Sequence, residues 1–283
     1  MKHLELQKKV DFAIRLLRSI PTEDGPVEIS YSGGKDSDVI LELAKMAGIP
    51  YRAIYKNTTI DPIGTIKHCK EKGVEVFTPK KTFFELIREK GIPNRRRRFC
   101  CAELKEYALN PRNIMGIRRS ESAKRFKRYK EPEECRVLHG IHQRSYLPIL
   151  EWTNDDVAKF VAERSIKCHP LYYDSRGGQF DVTRRLGCIG CPLMSRKKRI
   201  ANFKEYPKML RAWIRNYQIY LDTHPQSKAF AFCHGKAYNG MFQELFCGTK
   251  AEYELLLSGG LFPETAIDAK AFLEDYFKID LTI

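Results

Sequence analysis

Four cysteines in two couples carry the strongest chemical signal in this chain. Cys100 and Cys101 are adjacent, and Cys188 and Cys191 form a C-x-x-C pair, with 86 residues between Cys101 and Cys188. Two thiolate pairs can satisfy a zinc ion or an iron–sulfur cluster. Zinc pairs normally keep about two to four residues between them, so that both sulfurs reach one tetrahedral ion. A cubane offers separate iron corners, so neighbouring cysteines can take one each. The spacing favours a [4Fe–4S] cluster, with zinc and uncoordinated thiols as the alternatives. Nine cysteines in 283 residues is far below the ~8–10% of a disulfide scaffold, which points to metal or catalysis instead of cross-linking.

A second chemical signal is the hexapeptide SGGKDS, residues 32–37. It sits where a strand candidate hands over to a helix candidate, a geometry that turns backbone N–H groups and a helix N-terminus toward an anion. Gly33 and Gly34 allow close approach of the backbone, Ser32 and Ser37 carry hydroxyl donors, and Lys35 supplies a point charge. The spacing is not that of a Walker A loop, so cleavage at a γ-phosphate is not what these residues indicate.

Charge supports an anionic ligand. The chain carries a net +15, and residues 251–283 hold seven acids and two lysines, which leaves +20 on the first 250 residues. Residues 95–130 alone hold thirteen Lys/Arg against three Glu. RRRR at 95–98 runs into the first cysteine couple, while Arg184, Arg185 and the run Arg196–Arg199 flank the second. Cations this close favour thiolates and metal ligation, and a stripe of this size also suits nucleotide phosphates or a nucleic-acid backbone.

The elements that must position these groups follow from periodicity. Apolar residues of the first twenty positions recur at helical spacing, and neither a secretory signal nor an apolar run near the ~18 residues of a membrane span is evident. A cytoplasmic protein with no membrane association is the expectation. Strands are expected at 27–31, 51–55, 74–77 and 113–117, alternating with helices at 39–47, 62–72, 82–90 and 102–109. With 43% hydrophobic residues the chain can bury a large core. The fold class is α/β: a doubly wound, mainly parallel sheet with helices on both faces, plus a mostly helical C-terminal part. Residues 1–150 read as the nucleotide-binding domain and 151–283 as a cysteine-containing and helical part. In the latter, 155–164 is a helix with a capping-box start at Thr153 and Asp156, and 200–221 a helix kinked at Pro207.

SGGKDS resembles the PP-loop of the adenine-nucleotide α-hydrolase superfamily, and the rest of the chain resembles the phosphoadenosine phosphosulfate (PAPS) reductase family within it. NTTIDPIGT (57–65) falls where that family has a threonine-containing loop, and GIRRSES (116–122) is similar to its G-x-R-x-x-E-S element. LPILEWTNDDVAKFV resembles its Trp–Thr helix entry, and HPLYYDSRGGQFDVTRRLGCIGCP its N-P-L-Y-D…R-x-G-C-x-x-C-P segment. The resemblance implies that Ser32, Gly33, Gly34, Lys35, Asp36, Ser37, Thr58 and Arg118 bind the nucleotide, with Lys35, Asp36 and Ser37 catalytic. It also implies a [4Fe–4S] cluster on Cys100, Cys101, Cys188 and Cys191, as in adenylyl sulfate reductases, with Lys105 following the first couple in CCAELK.

Three functions fit these residues. Relatives in DNA phosphorothioation and tRNA thiolation combine a PP-loop with iron–sulfur cysteines, which implies ATP and Mg²⁺ as ligands. DNA or tRNA is then the partner, and a cysteine desulfurase or a thioredoxin-like protein a further one. The alternative is reduction of PAPS or adenylyl sulfate to sulfite. Reductases of that kind carry a nucleophilic cysteine in a Glu-Cys-Gly-x-His tail, whereas this chain closes with AFLEDYFKIDLTI and offers Cys233 and Cys247 instead. The third is a zinc-containing regulator that binds nucleotide and nucleic acid.

Overall fold

The computed structural model describes residues 2–106, 110–138, 140–174 and 178–282. Six strands run in chain order as β1 (Val27–Tyr31), β2 (Tyr51–Lys56), β3 (Glu75–Phe77), β4 (Arg112–Ile114), β5 (Glu133–Leu138) and β6 (Ile141–Tyr146). The helices are α1 (Lys2–Arg18), α2 (Lys35–Ala47), α3 (Thr65–Glu71), α4 (Phe83–Lys90), α5 (Phe99–Leu104), α6 (Ala123–Arg128) and α7 (Asn154–Glu163). They continue as α8 (Arg196–Glu205), α9 (Pro207–Thr223), α10 (Lys228–Phe232), α11 (Ala237–Phe246), α12 (Lys250–Ser258) and α13 (Ala269–Phe277).

Two compact units emerge. The first comprises Met1–Asn57, Asp61–Pro79 and Glu103–Leu186, the second Thr58–Ile60, Lys80–Ala102 and Gly187–Ile283. This partition differs from a single boundary at residue 150, for a packing reason. Phe83 of α4 lies against Trp213 of α9 at 4.8 Å between ring centroids, which gathers α4 with the C-terminal helices. Trp152, Val157, Phe160 and Tyr172 instead bury themselves in the core around the sheet.

The first unit is a mostly parallel sheet with helices, the expected α/β class. Strand order is β3-β2-β1-β4-β6-β5, with only β5 antiparallel to its neighbour. β1 is central and four of its five residues are buried, Glu28 among them, although VEISY alternates apolar and polar residues. β2 and β4 flank β1 on opposite sides, so the order reverses there and the turn after β1 opens at the switch point where such sheets bind ligands. α2 ends at Gly48 in the left-handed conformation, φ 68°. α7 starts with the expected capping box, Thr153 and Asp156 bonding each other's backbone, and Lys9 of α1 reaches Asp156 at 2.6 Å.

Some expected elements shift. The strand expected at 113–117 ends at Ile114, because Gly116 must pass close to α2: an added Cβ would stand 3.2 Å from the Asp36 carbonyl carbon. The helix expected at 102–109 is α5, which starts earlier and carries both cysteines of the first couple; positions 107–109 lie outside the described residues. The helix expected at 200–221 divides at Tyr206 into α8 and α9, since Pro207 lacks the N–H that would continue the ladder. β5 and β6 were not expected at all: EECRVL and IHQRSY place charged residues through an edge pair, which masks the apolar alternation.

In the second unit α4 begins with a full capping box at Thr82 and Glu85. α9 buries Leu210, Trp213, Ile214, Tyr217 and Leu221 as one helical stripe. Among the described residues no helix is long and apolar enough to cross a membrane.

Behind the sheet's binding edge lies a buried polar network. His68 Nε2 is 3.0 Å from Asp38 Oδ1, and Tyr31 donates to the same carboxylate. His169 packs edge-on to His68, accepts the Leu171 N–H at Nδ1 (3.1 Å) and lies 3.4 Å from Thr65 Oγ1 through Nε2. Burial, with the neighbouring His68 adding to it, holds the His169 ring below the ordinary histidine range. The folded ring therefore binds its proton more weakly than the unfolded one. Its stabilising contribution is complete above about pH 6.5 and is lost as pH falls from there through the folded value. Urea denaturation of His169→Gln is expected to show a shallower loss of stability below that pH than the parent; an unchanged slope would contradict the assignment.

Candidate nucleotide and cysteine sites

The turn after β1 is shaped by close approaches that only glycine allows. Gly33 has φ 77°, and a Cβ there would stand 3.0 Å from both Thr65 Cγ2 and Leu186 Cδ2. A Cβ on Gly34 would lie 3.2 Å from the Tyr172 hydroxyl, which itself accepts the Leu186 N–H at 3.2 Å. The first turn of α2 closes through Ser37 N and Asp38 N on the Gly34 carbonyl, at 2.9 and 3.0 Å. Ser37 Oγ donates to the same carbonyl at 2.7 Å and accepts from Ser32 Oγ at 3.2 Å. The hydroxyls thus brace the turn in the ligand-free form.

Lys35 is 2% exposed, with its ammonium 3.3 Å from Asp36 Oδ2, 3.5 Å from the Arg184 carbonyl and 5.3 Å from the centre of the Tyr172 ring. Burial pulls its pKa below the lysine range against the favourable pull of Asp36, and Arg118 and Arg185 push the same way. A buried ammonium under that pressure gains by meeting an anion.

Asp36 is gripped from behind by Arg118, whose Nε donates to Asp36 Oδ1 at 2.8 Å. Arg118 Nη1 reaches Ser120 Oγ and the Trp152 carbonyl at 3.2 and 3.4 Å, and Nη2 reaches Asn154 Oδ1 at 3.0 Å. Every nitrogen of this 1% exposed guanidinium has a protein partner, and through Nε it positions Asp36. Glu121 of the same GIRRSES element pairs with Arg125 and, at 3.0 Å, with Arg185. Lys35, Arg118, Arg125 and Arg185 outnumber the two carboxylates, Asp36 and Glu121, that meet them. The surplus suits a polyphosphate.

Thr58, the remaining expected nucleotide contact, belongs to the second unit. There it is 2% exposed, and the Cys188 thiol lies 3.5 Å from its Oγ1.

All four paired cysteines fall in that second unit, and each is half-buried. Cys100 and Cys101 sit on α5; Cys188 and Cys191 bracket a turn in which Cys191 N donates to Cys188 O at 3.2 Å. Gly190 at the turn has φ 74°, and a Cβ there would stand 2.3 Å from Phe203 Cζ, so the turn presses on α8. The Cys100 thiol is pushed up by its hydrogen bond with Cys101, then by burial, then by the charges of Cys101, Cys188 and Cys191. The two couples are therefore electrostatic neighbours despite the separation between them in sequence. Four thiolates this close repel unless a cationic core lies between them. Among the described residues no group of three or more His, Cys, Asp or Glu side chains is placed to hold a metal ion.

A buried cation stands beside this quartet. Arg199 of α8 is 4% exposed, donates Nε to the Gly190 carbonyl at 2.9 Å and Nη1 to Glu244 at 3.1 Å, and feels the Cys191 charge. Its Nη2 is buried with no hydrogen-bond partner among the described residues. An unsatisfied donor of this kind costs about 1–3 kcal/mol unless an acceptor arrives. The donor set, four sulfurs plus one waiting N–H, fits a sulfur-rich anionic cluster.

Of the arginines beside the cysteines, several have specific duties. Arg95 donates to the Pro192 and Met194 carbonyls at 3.2 and 2.9 Å, and Arg196 to the Cys247 carbonyl at 2.6 Å. Arg97 lies over the Phe99 ring at 5.6 Å and bonds the Lys90 carbonyl. In the first unit Arg184 donates to the Leu171 and Tyr173 carbonyls. Cys233 and Cys247 are each 1% exposed, and burial pushes both thiols up, Cys233 while bonded to Tyr217 at 3.3 Å. Buried, protonated thiols are poor nucleophiles. Sequence reasoning did not single out Tyr172, Thr65 or Glu121; their signal lay in the same motif segments that named their neighbours.

Residues 26–194 match the model of the phosphoadenosine phosphosulfate reductase domain. An uncharacterized protein of Methanocaldococcus jannaschii is 27% identical over 215 residues, which are 70% of this chain and 43% of that protein. The chain spans a little under half the length of the curated relatives it matches. Among solved structures, a PAPS reductase of Candida auris in a phosphate complex is 16% identical with a TM-score of 0.42, covering 59% of this chain and 87% of its own. The U34-tRNA thiolase of Methanococcus maripaludis with its [4Fe–4S] cluster is 18% identical with a TM-score of 0.41, covering 76% of this chain and 80% of its own.

The grip on Asp36 can be checked directly. Arg118→Lys keeps the charge but cannot span Asp36, Asn154 and the Trp152 carbonyl together. It should lower unfolding free energy by about 2–4 kcal/mol in urea titrations, whereas Lys35→Met should be neutral or stabilising, because Lys35 is buried against its own desolvation.

Proposed function

Because the chain belongs to the phosphoadenosine phosphosulfate reductase domain family, we propose that it is an ATP pyrophosphatase that adenylates a nucleic acid for sulfur insertion and carries a [4Fe–4S] cluster. What supports this reading is that Cys100, Cys101, Cys188 and Cys191 lie in one compact unit, with the Cys100 thiol bonded to Cys101 and pushed up by the charges of the other three.

In this reading the Lys35 ammonium and the N-terminus of α2 hold the triphosphate, and Gly33 and Gly34 let it approach the backbone. Asp36, fixed by Arg118, holds Lys35 in place. An oxygen of the nucleic acid attacks the α-phosphorus; the bond from that phosphorus to the bridging oxygen breaks, and pyrophosphate leaves with the electron pair. Donors of the turn stabilise the charge that develops on the α-phosphate. Mg²⁺, when bound, neutralises the pyrophosphate. The cluster, when bound on the four cysteines, would supply a place to hold or relay sulfur. The excess of basic residues supports a polyanionic acceptor. Reduction of a sulfonucleotide is less well supported, because Cys233 and Cys247 are buried with their thiols pushed up.

The protein purified without oxygen, given ATP, Mg²⁺ and DNA or tRNA, should release pyrophosphate only when nucleic acid is present. Lys35→Ala should lower that rate by about a hundredfold or more. Absence of pyrophosphate with every nucleic acid tried would sink the reading. For the cofactor, iron and acid-labile sulfide at about four each per chain are expected, with both lost in Cys188→Ala; stoichiometric zinc in place of iron would refute the cluster.

A further inference from the structure

The reading above names a nucleic acid but not the part of it that this chain holds, and the second unit contains two clefts suited to one part in particular. The first is a cavity of about 660 Å³ beside α9 and α11, walled by Tyr217, Tyr220 and Phe232, with Gln243 and Glu244 in its lining and Lys250 at its edge. The second, of about 550 Å³, is lined by Arg95, Arg96, Arg196 and Arg199, with Glu244 as its one carboxylate. Asn94 and Glu244 line both, so the clefts adjoin.

Their chemistries are complementary. In the second cleft four guanidinium groups meet a single carboxylate. The bonds that Arg95 and Arg196 make go to main-chain carbonyls, which orient these groups without neutralising them. A cleft that keeps three arginines beyond the one paired with Glu244 recruits phosphate. In the first cleft the rings of Tyr217 and Tyr220 stack along α9, with 6.1 Å between their centroids. Polar side chains beside such rings, here Gln243, Glu244 and Asn94, offer hydrogen bonds to the edge of a base. Both volumes lie within the about 300–1,000 Å³ typical of small-ligand sites.

We propose that these two clefts hold one unpaired nucleotide of a single-stranded nucleic acid, its base in the aromatic cleft and its phosphates among the arginines. This deepens the reading given above and rests on it for the identity of the polymer as acceptor. A base still stacked in a duplex cannot enter a cleft of this kind; it must be single-stranded or swung out. Pro192 and Met194, one and three residues beyond Cys191, also line the arginine cleft, so the bound strand would run beside the cysteine turn. That places the acceptor's backbone next to the residues assigned to sulfur handling within a single unit.

Fluorescence anisotropy on the full-length holoprotein, without ATP, tests this with a labelled single-stranded 12-mer of about that length, the matching duplex, and a 5′-mononucleotide as competitor. The single strand should bind about tenfold or more tighter than the duplex. Tyr220→Ala should weaken single-strand binding by about tenfold with little change in salt dependence. Arg96→Gln, at an exposed position, should reduce the salt slope by about one. Equal affinity for duplex, parental binding by both variants, or a mononucleotide that competes as tightly as the 12-mer would each overturn the proposal. The readout is independent of catalysis. Pyrophosphate release with both variants binding as the parent does would refute the clefts and leave the adenylation reading standing. Cleft-dependent strand binding with no pyrophosphate release would refute adenylation and leave the clefts standing.

Discussion

A buried guanidinium must find a hydrogen bond for each of its donors, and this chain places one such group behind each of its functional loops. Arg118 and Arg199 are 1% and 4% exposed, and removing an arginine's charge from water is costly unless the surroundings answer it. Arg118 answers with Asp36, Ser120, Asn154 and the Trp152 carbonyl, which ties the first turn of α2 to the G-x-R element and to the start of α7. The glycine turn inherits its rigidity from that set of bonds. Without it, Asp36 would have no fixed position from which to hold Lys35.

The second unit uses the same device but leaves it unfinished. Arg199 pins the C-x-x-C turn through the Gly190 carbonyl and borrows Glu244 for part of its charge, yet its Nη2 ends buried with nothing to bond among the described residues. Nearby, the Cys100 thiol is pushed up by its hydrogen bond with Cys101, by burial and by the charges of the other three cysteines. In the proposed reading the four sulfurs hold an anionic cluster, and the positive charge around them offsets it. The arginines around the quartet divide their labour accordingly. Arg95 and Arg196 hold main-chain carbonyls in place, and their charge faces a cleft large enough for phosphates.

How far each feature was legible depended on whether its signal was local. β1, β2 and α2 were readable because a short alternating strand, a glycine turn and a helical stripe are written in consecutive residues. Thr153 and Asp156 announced α7 by a contact three residues apart. β5 and β6 were hidden because an antiparallel edge pair tolerates charge along its length. The membership of α4 in the second unit was hidden because it rests on Phe83 meeting Trp213, far away in the chain. Thr58 was read as a nucleotide contact from its place in a loop, and the structure sets its hydroxyl beside Cys188.

By itself the sequence determined the chemical inventory: which residues can cradle a phosphate, which can ligate a metal, and that positive charge dominates around both. Residue type and short spacing suffice for that, since ligand character and turn geometry are properties of a few neighbouring positions. Only the tertiary structure decided that both cysteine couples share one unit, that Arg118 faces Asp36, and that Cys233 and Cys247 are sealed from solvent. It also decided that aromatic and arginine clefts adjoin. Burial and convergence are set by packing between segments distant in the chain, and no local pattern of residues encodes the distance between them.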